Sequence, residues 1–314
     1  MEQRQLGQLG PVSALTLGGG GIGQVWGTTN REEARLTVLR AVEAGINLLD
    51  LAPLYGNGEA ERVIGEAFDG SLPPGVRIET KCMLGTPPAA EVYDRLSHSL
   101  GESLARVRLD RVDALILHGH ISTDAPSGAT TRTNCELFRD AVVPAFQRLI
   151  EEGLIGSWGI TGIGEPDAVI ATLEDTPAPA VVQCITNVLD SPGGIQRFDG
   201  PARPREIIAA AAARGVGVLG IRAVQAGALV DSPDRELPPA EAADFARAAG
   251  FRELAREMNT TAAVLAHRYA LSMPGVSSVV LGVKNREELE ECLAAEASGP
   301  LSHEQIARID ASVR

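Results

Sequence analysis

The chain has 314 residues, 44% hydrophobic and 22% charged, enough for one large domain or two ordinary ones. Its 28 basic and 41 acidic residues leave a formal charge of −13, which argues against nucleic acid or an anionic membrane surface as a partner. Cys82, Cys135, Cys184 and Cys292 are scattered without metal-ligand spacing, and the N-terminus MEQRQLGQLG has no apolar signal core. A reduced, cytoplasmic chain with no metal and no membrane span is therefore expected.

A short N-terminal run reads as a hairpin. Apolar, strand-like runs follow at 14–17, 46–50, 77–81, 112–118, 157–161, 180–184, 216–221 and 278–281. They are rich in Val, Ile and Leu with little alternation, as strands buried on both faces are. Helical patterns lie between them. Thr29-x-x-Glu32 reads as a capping box opening a helix with Leu36, Leu39 and Val42 on its apolar stripe, stopped by Gly45. Further helices are expected at 59–68, 89–106, 136–152, 166–173, 203–214, 260–272 and 286–296, with Gly153 and Gly215 at helix ends and a final helix at 303–312. Eight strand–helix units predict an α/β fold, a (β/α)8 TIM barrel forming a single domain over residues 1–314, with an N-terminal hairpin and extra C-terminal helices. A doubly wound sheet would need fewer units. Segments 119–133 and 225–249 fall outside the repeat, and loops of that length are often functional.

The stretch LTLGGGGIGQVWG carries Gly18-x-Gly20-x-x-Gly23, the outline of a dinucleotide-binding turn. The next helix signal starts only at Thr29, however. The next strand-end acid, Asp50, lies beyond the usual spacing of about 20 residues. The stretch is better read as the first barrel strand and its loop, with glycines that let backbone approach a ligand. Trp26, one of two tryptophans, is a candidate wall of a substrate pocket.

In such a barrel the reactive groups sit at the C-terminal ends of strands. The second predicted strand ends at Asp50, the third at Lys81 and the fourth at His118, and Tyr55 lies in the loop after the second. Lys81 is one of only two lysines, the other being Lys284, in a chain that otherwise takes its basic charge from arginine. A lysine ammonium beside a phenol favours the phenolate and brings a pKa of about 10 down. Asp50 would hold Lys81 in place, and His118 would donate to a substrate oxygen or relay a proton. The set suits carbonyl reduction or its reverse, alcohol oxidation.

Residues 45–68, GINLLDLAPLYGNGEAERVIGEAF, resemble the signature segment of the aldo-keto reductases, and the similarity runs from RQLGQLGPVSALTLGGG to VVLGVKNREELEEC. The resemblance implies a metal-free (β/α)8 barrel that binds NAD(P)(H) at its C-terminal rim. It implies the catalytic set Asp50, Tyr55, Lys81 and His118, with Tyr55 as general acid/base, acting on a small carbonyl or sugar substrate. It also implies cofactor contacts from Thr161, where the family's Ser-Asn pair is here Thr161-Gly162, and from Gln183 and Asn187. Ile221 stands where an aromatic often stacks on the nicotinamide. Gly282, Lys284, Asn285, Arg286 and Glu288 fall in the segment around the adenosine 2′-phosphate. Glu288 stands where many NADP-dependent members have Arg, and Cys292 where Asn is common. The balance favours NADP(H) by a small margin, with NAD(H) the alternative. Trp26, His120, and the loops at 120–133 and 225–237 are expected to border the substrate pocket. Some family members are channel-associated, so a non-catalytic NADPH-binding regulatory subunit is the alternative function. The sequence carries no signature of an oligomeric state.

Overall fold

Twelve strands are present in the computed structural model, which describes residues 1–313. They are β1 Gln3–Gln5, β2 Pro11–Ser13, β3 Leu15–Gly18, β4 Leu48–Asp50, β5 Arg77–Cys82, β6 Val112–Leu117, β7 His120–Ser122, β8 Arg132–Asn134, β9 Ile155–Thr161, β10 Val181–Ile185, β11 Gly217–Ile221 and β12 Ser278–Leu281. Eight of them form a closed parallel barrel in the order β3-β4-β5-β6-β9-β10-β11-β12, and β12 returns to pair with β3 through Val279↔Leu15 and Leu281↔Leu17. These are the eight strands expected from the sequence, with ends moved by one or two residues. β1 and β2 pair antiparallel as the expected hairpin.

The helices depart from expectation in several places, among them an unpredicted helix at Ala249–Glu257 and the two cases that follow. The helix Arg31–Glu43 is capped by Asn30, whose side chain accepts from the Glu33 backbone N–H at 2.9 Å. Asn caps at least as well as Thr. Thr29, expected to be the cap, instead donates its hydroxyl to the Lys284 carbonyl at 2.8 Å and ties this loop to the end of β12. The helix expected at 136–152 is interrupted by a π-helical segment, Phe138–Val142, immediately before Val143–Glu151. Pro144 lacks the N–H that a regular helix would use there, and the wider turn accommodates it.

Alternation along the strands decides what faces the barrel axis. Leu48, Ala114, Ile116, Val181 and Leu219 form a small inner cluster with Leu6 and Val12 from the N-terminal hairpin, which closes the floor. Their neighbours Leu49, Ile78, Leu115 and Leu117 belong to the larger core beneath the helices. Two residues further along the inward face the interior turns polar, with Asp50 on β4, Glu79 and Lys81 on β5, and Gln183 on β10 all buried. The barrel therefore runs from an apolar floor to a charged upper layer, and the layer's side chains are fixed by strands rather than loops.

The four-glycine run makes the seam between β3 and β12 possible. A Cβ on Gly18 would lie 2.3 Å from the Leu281 carbonyl oxygen, and one on Gly21 would lie 1.9 Å from that of Val283. The short turn Gly19–Ile22 thus packs backbone against backbone.

Candidate active site

Asp50, Lys81, Tyr55 and His118 meet at the C-terminal rim. Lys81, wholly buried, donates through Nζ to Asp50 Oδ1 and to the Leu51 carbonyl, the latter at 2.9 Å. The same Nζ lies 4.8 Å from the centre of the Tyr55 ring. Tyr55 meets His118 edge to face, with ring centres 5.7 Å apart at 80°. Strand ends position Asp50 and Lys81, His118 follows directly on β6, and Tyr55 reaches in from the loop before the helix Glu59–Phe68.

The charges in this group oppose one another in a defined way. Burial raises the pKa of the Tyr55 phenol above its ordinary value, and the Lys81 ammonium works against that rise. Burial alone would lower the pKa of Lys81, but Asp50, Tyr55 and Glu79 together turn its shift upward, so the ammonium keeps its charge. Burial, then Lys81, push His118 down to about 3. His118 is thus a neutral imidazole at neutral pH, and its Nδ1 is buried without a hydrogen-bond partner.

A cavity of about 740 Å³ opens beside these residues. Its walls include Tyr55, His118, Thr161, Gln183 and Ile221 and also Trp26, Gly282, Lys284, Glu288 and Cys292. Trp26 lies over the glycines, with its Nε1 2.5 Å from where a Cβ on Gly20 would stand. Arg235 sits above the indole at 5.4 Å. The residues fit an elongated dinucleotide: the volume is in the range of ligand clefts, about 300–1,000 Å³. The wall is also stripped of side chains at Gly18, Gly20 and Gly282, and the His118 imidazole lines it.

The sequence-predicted contacts divide into those that reach the cavity and those that do not. Thr161 reaches it while donating its hydroxyl to the Gly119 carbonyl at 2.7 Å, which leaves the oxygen free to accept. Gln183 reaches it but spends its amide on Asp50 and Glu79, each at 2.7 Å. Ile221 forms apolar wall. Asn187 is buried away from the cavity, bonded to the Ser191 carbonyl, the Arg222 carbonyl and Gln225. His120 is buried as well, with Nε2 at 2.8 Å from the Ile195 carbonyl; Ile195 rather than His120 lines the cavity. No residue of 120–133 lines it, whereas Val230–Leu237 contributes several.

The adenosine-end candidates are paired with carboxylates. Lys284 Nζ meets Asp234 Oδ2 at 2.5 Å and Glu288 Oε1 at 2.6 Å. Arg286 bonds Glu33 through its backbone and guanidinium and does not line the cavity. Asn285 is the cap of the helix Arg286–Ala297, accepting from the Glu288 N–H at 2.9 Å. Gly282 lies against the Trp26 indole.

Sequence reasoning passed over Glu79, although its place two residues before Lys81 in RIETK puts both on one strand face. It also passed over Arg222, whose guanidinium is bonded to Glu241 at 2.7 Å on the cavity wall. Asp234 has no signal in sequence, because its partner Lys284 is 50 residues away.

Among the described residues no helix is long and apolar enough to cross a membrane. Comparison with known proteins agrees with the geometry. The chain is 28% identical to an L-galactose dehydrogenase of Arabidopsis thaliana over 302 residues, 94% of this chain and 88% of that protein. The fold matches the holo form of an aldo-keto reductase from Bacillus halodurans with a TM-score of 0.77 at 24% identity, covering 100% of this chain and 97% of that one. It also matches an aldo-keto reductase from Klebsiella pneumoniae in complex with NADPH, with a TM-score of 0.71 at 21% identity and coverage of 100% and 96%. The profile of the Aldo/keto reductase family matches residues 14–314, and the chain belongs to that family.

Proposed function

We propose that this chain reduces an aldehyde or ketone, or oxidises the corresponding alcohol or sugar, with Tyr55 as general acid/base. A nicotinamide dinucleotide held in the cavity supplies or accepts the hydride. The observation that carries the reading is the placement of the Tyr55 ring over the Lys81 ammonium and edge-on to a neutral His118, on the cavity wall. In reduction the Tyr55 hydroxyl gives its proton to the oxygen of the carbonyl as negative charge develops there. Lys81 stabilises the resulting phenolate, and Asp50 keeps Lys81 in position. His118, a neutral imidazole on the cavity wall, orients the substrate oxygen by a hydrogen bond. In the oxidative direction Tyr55 takes the proton back.

Thr161 and Gln183 offer acceptor oxygens for a carboxamide, and Ile221 offers an apolar face for the ring. At the adenosine end, Lys284 is shared between Asp234 and Glu288, and Arg286 is held by Glu33. Carboxylates already occupy the cations that would have favoured NADP(H), so the proposal takes NAD(P)(H) as its cofactor. Turnover of NADPH and NADH against a panel of aldehydes, ketones and sugars tests it. If purified protein binds NADPH yet oxidises it with no carbonyl in the panel, it is instead a non-catalytic NADPH-binding subunit.

A further inference from the structure

Glu79 has no part in the reaction just described, yet it lies in the same layer. It is wholly buried, is the cross-strand partner of Asp50 in the β4–β5 register, and shares the inward face of β5 with Lys81. The Gln183 amide bridges Glu79 Oε1 and Asp50 Oδ1 at 2.7 Å each. Glu79 Oε2 is buried with no partner. The titratable groups facing it are Asp50 from β4, Lys81 from its own strand, and Tyr55 from the loop above. Among the described residues Lys81 is the cation in hydrogen-bond contact with this carboxyl pair, and it bonds Asp50 rather than Glu79.

Two ionised carboxylates around one ammonium would leave a negative charge uncompensated in a site closed to water, and like charges at such range do not both ionise. A single proton on Glu79 Oε2 removes the excess charge and gives the orphaned oxygen something to donate. Glu79 is the member to carry it, because Asp50 already accepts from both Lys81 and Gln183. We propose that Glu79 is a neutral carboxylic acid whose Oε2–H donates to Asp50, and that it is a positioning residue fixing Asp50 and, through it, the Lys81 ammonium beneath Tyr55. Burial first, then Asp50, push the Glu79 carboxyl well above the usual carboxylate range, in keeping with this. The positioning role rests on Tyr55 being the proton donor; the proton on Glu79 does not.

The proton is tested without turnover. A native acid that stays protonated, while the unfolded chain ionises, makes folding bind a proton as pH rises above the ordinary glutamate value. The unfolding constant of the wild-type chain, divided by that of Glu79→Gln, should then grow about tenfold per pH unit from about pH 5 to about pH 8. A flat or falling ratio shows an ionised Glu79 and overturns the proposal. Should Glu79→Gln fail to fold, the infrared spectrum of the wild-type protein decides. A protonated-carboxyl stretch persisting at about pH 8 supports the proposal, and its absence overturns it.

The positioning role is read from the pH dependence of kcat. Glu79→Gln, whose amide can still donate to Asp50, should keep the apparent pKa within a few tenths of a pH unit, while Glu79→Leu should displace it. A marked downward shift in Glu79→Gln means that a negative charge was removed, and equal profiles for all three proteins mean that Glu79 positions nothing. Either result overturns the role. Retained turnover in Tyr55→Phe defeats the reading of Tyr55 and the positioning role with it, while the unfolding ratio still judges the proton.

Discussion

The two ends of the proposed cofactor-binding region are built on different principles. At the proposed carbonyl end, Asp50 and Lys81 stand on barrel strands, are wholly buried, and are bonded to each other, Asp50 also to Gln183. At the proposed adenosine end, Lys284 and Arg286 stand on a loop and the first turn of a helix, and their charges are met by Asp234 and Glu33 from distant segments and by Glu288 one turn on. In the first case desolvation makes every contact costly to lose. In the second, solvent screens each pair, and any one is worth little. The carbonyl end should therefore break under single substitutions, and the adenosine end should only be retuned by them.

The sharpest test of the contrast is Lys81→Met. It leaves Asp50 buried without its ammonium, so turnover should vanish and chemical denaturation should show a loss of about 3–5 kcal/mol. Unchanged stability would mean that the pair is solvated and the contrast is wrong. Tyr55→Phe separates chemistry from binding: kcat should fall about a thousandfold while fluorescence titration shows dinucleotide binding nearly intact.

His118 gives the contrast a pH signature. Its folded value, about 3, lies below the ordinary 6.5, so the unfolded chain binds the proton first. Its contribution to stability is complete above 6.5 and is lost as pH falls toward 3. Urea unfolding at about pH 7 and about pH 5 should show His118→Asn less acid-sensitive than wild type, by of order 1–2 kcal/mol. Equal sensitivity would show that His118 titrates normally.

At the other end, Glu288→Arg removes one carboxylate from Lys284 and adds a cation, so the preference for NADP over NAD, as a ratio of kcat/KM, should rise about tenfold. A constant ratio would place Glu288 away from the 2′-phosphate. Arg286→Ala should do least. It removes an exposed pair with Glu33, so the denaturation midpoint should stay at the wild-type value and the cofactor ratio should change by no more than a few-fold.

The same contrast explains what was legible in the sequence. Strand-borne residues follow period two and fixed register, so Asp50, Lys81 and His118 could be gathered from spacing alone. Glu79 obeys the same rule and was readable in principle from RIETK. Asn187 and His120 resist such reading. Asn187 lies beyond the end of β10 and His120 opens β7, which is not a barrel strand, and there a side chain turns to the rim or to the backbone according to what neighbouring loops offer. Asn187 finds the Arg222 and Ser191 carbonyls, and His120 the Ile195 carbonyl. The charges around Lys284 depend on Asp234, which no local pattern links to it. Thr29 and Asn30 compete for one cap with similar propensity, and the free carbonyl of Lys284 decides which of them takes it.

The pairing of β3 with β12 joins residues near the start of the chain to residues near its end. During synthesis, strands emerging from the ribosome form at best an open sheet, with β3 exposing one edge until Ser278–Leu281 arrives. Unpaired edges of this kind are templates for aggregation, and contacts between distant segments slow folding. The seam where the glycine run meets β12 is thus the last joint of the barrel to be made. A chain truncated before Ser278 is expected to be held by chaperones or lost to inclusion bodies rather than to persist as a smaller folded protein.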